Sequence, residues 1–173
     1  MQQSAEERFG EIYRRHGPAV AAYARRRVGA NAVEDVVAET FLVCWRKLER
    51  VPAEPLPWLY AVARKTLANQ RRAAARQTPR AIAEIPVDAV PLEGDLVLGA
   101  AFSRLSERDR EVLRLVAWEG LTLGEAAIVL GCSAVACRVR FHRAKKRLAE
   151  RLQPLEGHAA VARPQPDPRG ATR

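Results

Sequence analysis

Apolar positions recur at helical spacing through most of the chain. Between about Ala5 and His16, Phe9, Ile12 and Tyr13 fall on one stripe. Pro18 suits the first turn of a second helix, where its missing N–H costs nothing, and Val20, Tyr23 and Ala24 then point inward. A third helix is predicted from about Val33 to Leu48. It carries Val37, Phe41, Cys44, Trp45 and Leu48 at i, i+4, i+7, i+8 and i+11. Three prolines in Val51–Pro57 interrupt it. The fourth helix, Trp58 to about Ala75, has Leu59, Val62, Ala63 and Thr66 on its apolar side.

From Gln77 to Asp95 the pattern loses its period. Pro79, Pro86, Pro91 and Gly94 argue against a strand there, and the stretch reads as a linker. The last third is marked by helix boundaries. Ser106 and Asp109 have N-cap and N3 spacing, followed by the apolar Val112, Leu113 and Val116, with Gly120 as a stop. Thr122–Glu125 matches a capping box, in which hydroxyl and carboxylate reciprocally satisfy free amides. A short helix to Leu130 ends at Gly131, and Ser133 caps the next one. Four prolines from Pro154 onward predict an irregular tail. The fold class is therefore all-α: two small helical domains at 5–76 and 104–152, a flexible acidic linker at 77–103 and a disordered tail at 153–173.

Composition sharpens this picture. The 173 residues carry 29 Lys+Arg against 20 Asp+Glu, a net charge of +9. From Val62 to Arg80 there are six Lys/Arg and no acid, and from Ser133 to Arg151 seven against Glu150, so each segment is +6. Ala81–Ser103 between them is −4. Two cationic surfaces for a polyanion, joined by a connector that avoids it, fit this distribution; two merely solvated helix faces fit it too. The longest apolar run, Leu96–Phe102, is too short to span a membrane. The first residues lack the basic-then-apolar layout of a secretion signal, and three cysteines make no disulfide framework, so a cytoplasmic location is expected.

Two helices meeting at a tight glycine-containing turn, the second strongly basic, form the helix-turn-helix pattern. In the second, Cys137, Phe141, Ala144 and Leu148 take the core side, leaving Arg138, His142 and Lys145 opposite, with Arg143 and Lys146 beside them. Small Ala126 and Ala127 permit close approach of the first helix. Arginine can grip guanine O6 and N7 with a two-pronged contact, while lysine suits phosphate.

Both halves resemble bacterial sigma factors of the extracytoplasmic-function type. The N-terminal resemblance lies in Val33–Leu48, Pro57–Arg64 and Leu67–Arg72; the C-terminal one in Leu105–Leu113, Trp118–Ala127 and Arg138–Ala144. It implies a region 2-like domain at 5–76 and a region 4-like domain at 104–152, acting together as a dissociable RNA polymerase subunit. On that resemblance, Asp35, Glu39, Leu42 and Arg46 dock on the clamp helices of the largest polymerase subunit. Asp35, Glu39 and Arg46 do stand apart from the apolar stripe. The family usually has glutamine where this chain has Ala38.

The resemblance places reading of the melted −10 strand on the Val51–Pro57 loop and the helix after it. Trp58, Tyr60, Arg64, Lys65, Asn69, Arg71 and Arg72 offer rings, cations and an amide there. Lys65 stands where many relatives carry asparagine. It also implies that Ser133, Arg138, Val139, His142, Arg143 and Lys146 read the −35 duplex, that the flap of the second-largest subunit and promoter DNA are partners, and that an anti-sigma factor is a further one. No membrane insertion is implied.

A free-standing helix-turn-helix regulator with an N-terminal sensory or partner-binding domain is the alternative, but it leaves the basic Val62–Arg80 helix idle. Enzyme function is not expected. Metal nucleases need convergent carboxylates; Glu107 and Asp109 sit instead in a first helical turn, where the helix dipole accounts for them. No cofactor or metal is expected: His16, His142 and His158 are scattered, and Cys132 and Cys137 lack a second pair at zinc-site spacing.

Overall fold

The computed structural model describes residues 4–77 and 96–161, with side chains described through Arg76 and from Leu96 to Leu152. Among the described residues every regular element is helical. Helices α1 (Ala5–Arg25), α2 (Val33–Arg46) and α3 (Pro55–Gln77) build the first domain, with short 3₁₀ turns at Ala30–Ala32 and Leu48–Arg50. Helices α4 (Leu96–Ser103), α5 (Glu107–Ala117), α6 (Leu123–Leu130) and α7 (Ala134–Val161) build the second.

Helix α1 begins with a capping box in which Ser4 Oγ accepts from the Glu7 N–H while Glu7 accepts from the Ser4 N–H. It then runs unbroken through Pro18. The expected pair of helices is thus one. A proline removes a single backbone donor, and Ile12, Val20, Tyr23 and Ala24, buried on one face, hold both sides of the ring in line. Helix α2 turns Val33, Val36, Thr40, Phe41 and Cys44 to the core. The expected stripe was rotated slightly: Val37 is half-buried and Trp45 remains 43% exposed. Thr40 is tolerated inside because its hydroxyl donates to the Val36 carbonyl at 2.6 Å. Edge-on aromatic contacts, Phe9 to Trp45 at 5.2 Å and Tyr13 to Phe41 at 4.7 Å between centroids, fasten α1 to α2.

Helix α3 starts at Pro55 and not at Trp58, because both Pro55 and Pro57 lie in the first turn, where backbone N–H groups have no intrahelical partner. Arg8 donates to the Val51 carbonyl at 2.8 Å and so anchors the preceding loop on α1. The last part of the expected linker, 96–103, is also helical. Its apolar residues pack on α7, with Ala101 and Phe102 buried and Phe102 edge-on to Trp118. Residues 78–95, the rest of that linker, lie outside the described residues. At the other end α7 passes Pro154 to Val161, so the expected disordered tail is helical over 153–161. Good helix formers (Leu155, Glu156, Ala159, Ala160) follow the proline. Residues 162–173 lie outside the described residues.

The two domains do not hang apart. A single buried cluster runs from Ile12 in α1 to Ala144 in α7, and α3 packs against α6. Leu59 and Leu115, one from each half, are fully buried; each such side chain contributes about 1.5–3 kcal/mol relative to exposure.

Candidate nucleic-acid and polymerase interfaces

In the C-terminal domain local rules fix the helix-turn-helix. Ser106 Oγ accepts from the Asp109 N–H at 3.2 Å to start α5. At the head of α6, Thr122 Oγ1 accepts from the Glu125 N–H at 3.2 Å, and Glu125 accepts from the Thr122 N–H at 2.8 Å. The Thr122 hydroxyl, donating to the carboxylate at 2.7 Å, and then the Thr122 N–H hold the Glu125 carboxyl below its ordinary range. Gly131 ends α6 at φ +64°, a left-handed conformation that favours glycine. Ser133 Oγ then accepts from the Ala136 N–H at 3.2 Å. Ser133, expected as a duplex contact, is thereby the cap of α7.

Buried Ala126 and Ala127 on α6, with Cys137 and Ala144 on α7, let the two helices meet closely. Burial, reinforced by neighbouring Cys132, pushes the Cys137 thiol up, as expected of a packing residue. Arg147 donates to Asp109 Oδ2 at 2.7 Å and ties α7 to α5. The opposite face of α7 presents Arg138, Val139, His142, Arg143 and Lys146 to solvent. Three exposed apolar side chains, Ile128, Val135 and Val139, lie on the same two helices. That mixture of cations and small apolar groups is what a base-reading helix needs, since thymine methyls are read by apolar contact.

In the N-terminal domain, α2 and α3 enclose two grooves. One, about 830 Å³, is lined by Asp35, Glu39 and Leu42 from α2 and by Asn69, Gln70 and Arg76 from α3. The other, about 530 Å³, brings Arg46 beside Trp58, Lys65 and Asn69. Thus the residues expected to dock polymerase and those expected to read the −10 strand share groove walls. Lys47 and Arg50 line the second groove as well. They were not singled out from the sequence, although two cations beside the proline-rich break were a usable signal.

The expected −10 residues divide into four situations. Arg64, Lys65, Asn69 and Arg72 are exposed, with Arg72 donating to the Asn69 side-chain oxygen. Trp58 is half-buried against the core. Tyr60 is withdrawn from the surface: it is 3% exposed and stacks on Tyr23 at 4.8 Å, and burial pushes its hydroxyl up to about 12. Arg71 is engaged as well, donating to the Arg27 carbonyl at 3.2 Å and to Glu107 at 3.5 Å.

Those last contacts belong to a polar seam between domains that no sequence signal announced. Tyr23 donates to Glu111 at 3.0 Å, and Arg27 donates to both Glu111 and Glu119, at 3.0 and 2.9 Å. Arg26 also pairs with Glu119. Arg27 and Glu119 are almost completely buried. Burial and the charge of Glu111 together push the Tyr23 hydroxyl well above its ordinary value. Among the described residues no group of three or more His, Cys, Asp or Glu is placed to hold a metal, and no helix is long and apolar enough to cross a membrane.

Comparison with known proteins identifies the family. The family model described as Sigma-70 region 2 matches residues 12–77, and that described as Sigma-70, region 4 matches 95–148. The RNA polymerase sigma factor CarQ of Myxococcus xanthus is 32% identical over 88% of this chain and 93% of its own length. The ECF RNA polymerase sigma factor SigF of Caulobacter vibrioides is 36% identical over 79% of this chain and 80% of its own. Among solved structures, the sigma factor RpoE of Bartonella quintana, crystallised with the anti-sigma factor NepR, superposes with a TM-score of 0.67 at 25% identity. The match covers 84% of this chain and 96% of that one. CnrH, solved in complex with the cytosolic domain of CnrY, gives 0.59 at 28% identity, over 84% of this chain and 88% of that one. With both regions matched in order and the described residues all-helical, the chain belongs to the sigma-70 family of RNA polymerase sigma factors, in its extracytoplasmic-function branch.

Proposed function

We propose that this sigma factor divides its promoter work among the three surfaces just described. The α2 face carrying Asp35, Glu39, Leu42 and Arg46 docks on the clamp helices of the polymerase's largest subunit. The Val51–Pro57 segment and α3, with Trp58, Arg64, Lys65, Asn69, Arg71 and Arg72, receive the melted −10 strand. Helix α7 enters the major groove of the −35 element with Arg138, Val139, His142, Arg143 and Lys146. Ser133 serves there mainly as the cap that sets the angle of α7.

One observation carries this reading: α3 and α7 each present a cationic, solvent-exposed row within a single chain that also offers the acid-bearing α2 face. On this reading the chain supplies recognition while polymerase performs the chemistry. The single-stranded element calls for stacking surfaces and phosphate cations, the duplex element for a helix with two-pronged donors, and the two rows differ in that sense. RpoE and CnrH were each solved with a protein partner, RpoE with an anti-sigma factor. An anti-sigma factor covering the same faces is the corresponding partner here.

The test is transcription in vitro with bacterial core polymerase on a genomic fragment library, with start sites mapped. The expected result is a defined set of starts that share paired −10 and −35 sequences and vanish without this chain. Tight binding to a −35-like duplex without polymerase, together with no initiation in its presence, would favour a free-standing regulator.

A further inference from the structure

We propose that Cys132 and Cys137 form an oxidisable thiol pair at the root of α7, which a hydroperoxide closes to a disulfide, displacing the helix offered to the −35 element. Formation of the bond follows from the turn alone; its effect on initiation rests on the α7 reading above.

Two helix-end motifs share Cys132. At the end of α6 the Gly131 N–H donates to the Ile128 carbonyl at 3.2 Å, and the Cys132 N–H donates to the Ala127 carbonyl at 3.1 Å. That is the bonding pattern of a Schellman cap, with Cys132 the second residue beyond the helix. At the start of α7, Ser133 is the cap, and its carbonyl accepts from the Cys137 N–H at 2.9 Å. Cys132 is therefore the residue before the cap and Cys137 the fourth within the helix. Side chains at these two positions close over a helix start as a hydrophobic staple. Here both are thiols. They interact through their side chains, Cys137 fully buried and Cys132 half-buried against the same core. Hydrogen bonds fix the backbone on each side of Cys132, so the two sulfurs are held as neighbours.

The burial difference assigns the roles. Cys132, the reachable thiol, attacks hydrogen peroxide as its thiolate. The O–O bond breaks, Cys132 becomes a sulfenic acid, and the hydroxide released takes up the thiol proton to give water. The Cys137 sulfur then attacks the Cys132 sulfur, the S–O bond breaks, and a second water leaves with the Cys137 proton. Two thiols have lost two electrons and two protons, and one peroxide has become two waters. Cys44, the third cysteine, is fully buried in α2, where burial pushes its thiol up, and it belongs to the other domain.

A disulfide holds its sulfurs about 2.0 Å apart, roughly half an ordinary non-bonded approach of about 3.5–4.0 Å. Closing that gap shifts the turn or the first turn of α7. Cys137 sits where small Ala126 and Ala127 let α6 and α7 meet, and exposed Arg138 and Val139 follow it directly. The base-reading row therefore moves with the bond.

The test treats the reduced full chain with equimolar hydrogen peroxide, stops the reaction with catalase, alkylates the unfolded protein and digests it with trypsin. Both cysteines fall in one tryptic peptide, Leu115–Arg138. The expected result is that this peptide is two hydrogens lighter and takes up no alkyl group, while Cys44 is alkylated in full. With core polymerase, at a promoter mapped as above, the oxidised chain is expected to initiate roughly tenfold less, about the loss of one two-pronged base contact, and dithiothreitol restores it. Cys132→Ser and, separately, Cys137→Ala, with helicity checked by circular dichroism, should initiate equally with and without peroxide. Sulfinic or sulfonic acid at Cys132, or a link between two chains in place of the internal bond, overturns the pair. An internal bond that leaves initiation unchanged, or a peroxide effect that persists in both variants, overturns the effect on α7. A reduced wild-type chain that fails to initiate counts against the promoter reading, and the peptide mass still decides for or against the thiol pair.

Discussion

Arg143 projects from the solvent side of α7, while Ala144 beside it is fully buried. Its guanidinium is therefore free to take a base edge without disturbing the core. Arg143→Ala is expected to lower initiation at −35-dependent promoters by the loss of about 1–3 kcal/mol of base discrimination, read by run-off transcription. Affinity for core polymerase should stay as it was; its loss would contradict the placement of the residue. Thr122→Ala removes a reciprocal cap and should cost about 1 kcal/mol of stability, read from urea denaturation. At this scale the sequence was highly legible. Ser106, Thr122, Gly131 and Ser133 were all identified as helix boundaries, because a cap is decided within four residues of chain. Tyr60 shows where residue reading stopped. Its ring looked available for stacking, yet Tyr23, thirty-seven positions earlier, claims it.

Helix α2 carries the clearest element-scale expectation. Asp35 and Glu39 are exposed one turn apart on a helix whose other side is core. Replacing both with alanine should weaken binding to core polymerase while leaving helicity intact; unchanged affinity would reject the docking face. Helix α6 has a titratable start. Glu125, held below its ordinary value by Thr122, stabilises the folded chain above the ordinary glutamate pKa near 4.5. That contribution should fade as pH falls through the lowered value, visible as an acid-side decline in melting temperature that Glu125→Gln makes shallower. Elements were less legible than caps wherever proline stood. Pro18 in α1, Pro55 and Pro57 in α3 and Pro154 in α7 were each read as boundaries, yet each lies within a helix. Local propensity sets only a cost there. For α1, the burial on both sides of Pro18 described above outweighs it. The α4 segment was missed for a related reason: Leu96–Phe102 is apolar all round, so it has no face by which periodicity can identify it.

The alkaline behaviour of the whole molecule follows from the seam. Tyr23 and Tyr60 both hold their protons above the ordinary tyrosine value of 10.0, Tyr60 to about 12. Above pH 10 an unfolded chain releases protons that the folded one retains, so stability present below that point is lost as pH rises. Urea midpoints should therefore hold steady up to about pH 9 and fall as pH rises from about 10 toward 12, and Tyr23→Phe should reduce that slope. Docking of the domains was the least legible property. Periodicity marks which side of a helix is buried but not which element buries it, and the Tyr23–Glu111 and Arg27–Glu119 partners stand roughly ninety residues apart in the chain.

The acids at 111 and 119 sit in the same stretch as the duplex-reading module, so they travel with it in any recombination of halves. A hybrid that borrows its C-terminal part from a relative lacking them would leave Tyr23 and Arg27 without the partners that they hold in this chain. Such chimeras, built to redirect gene expression, would have to carry Glu111 and Glu119 across as deliberately as the bases they are meant to read.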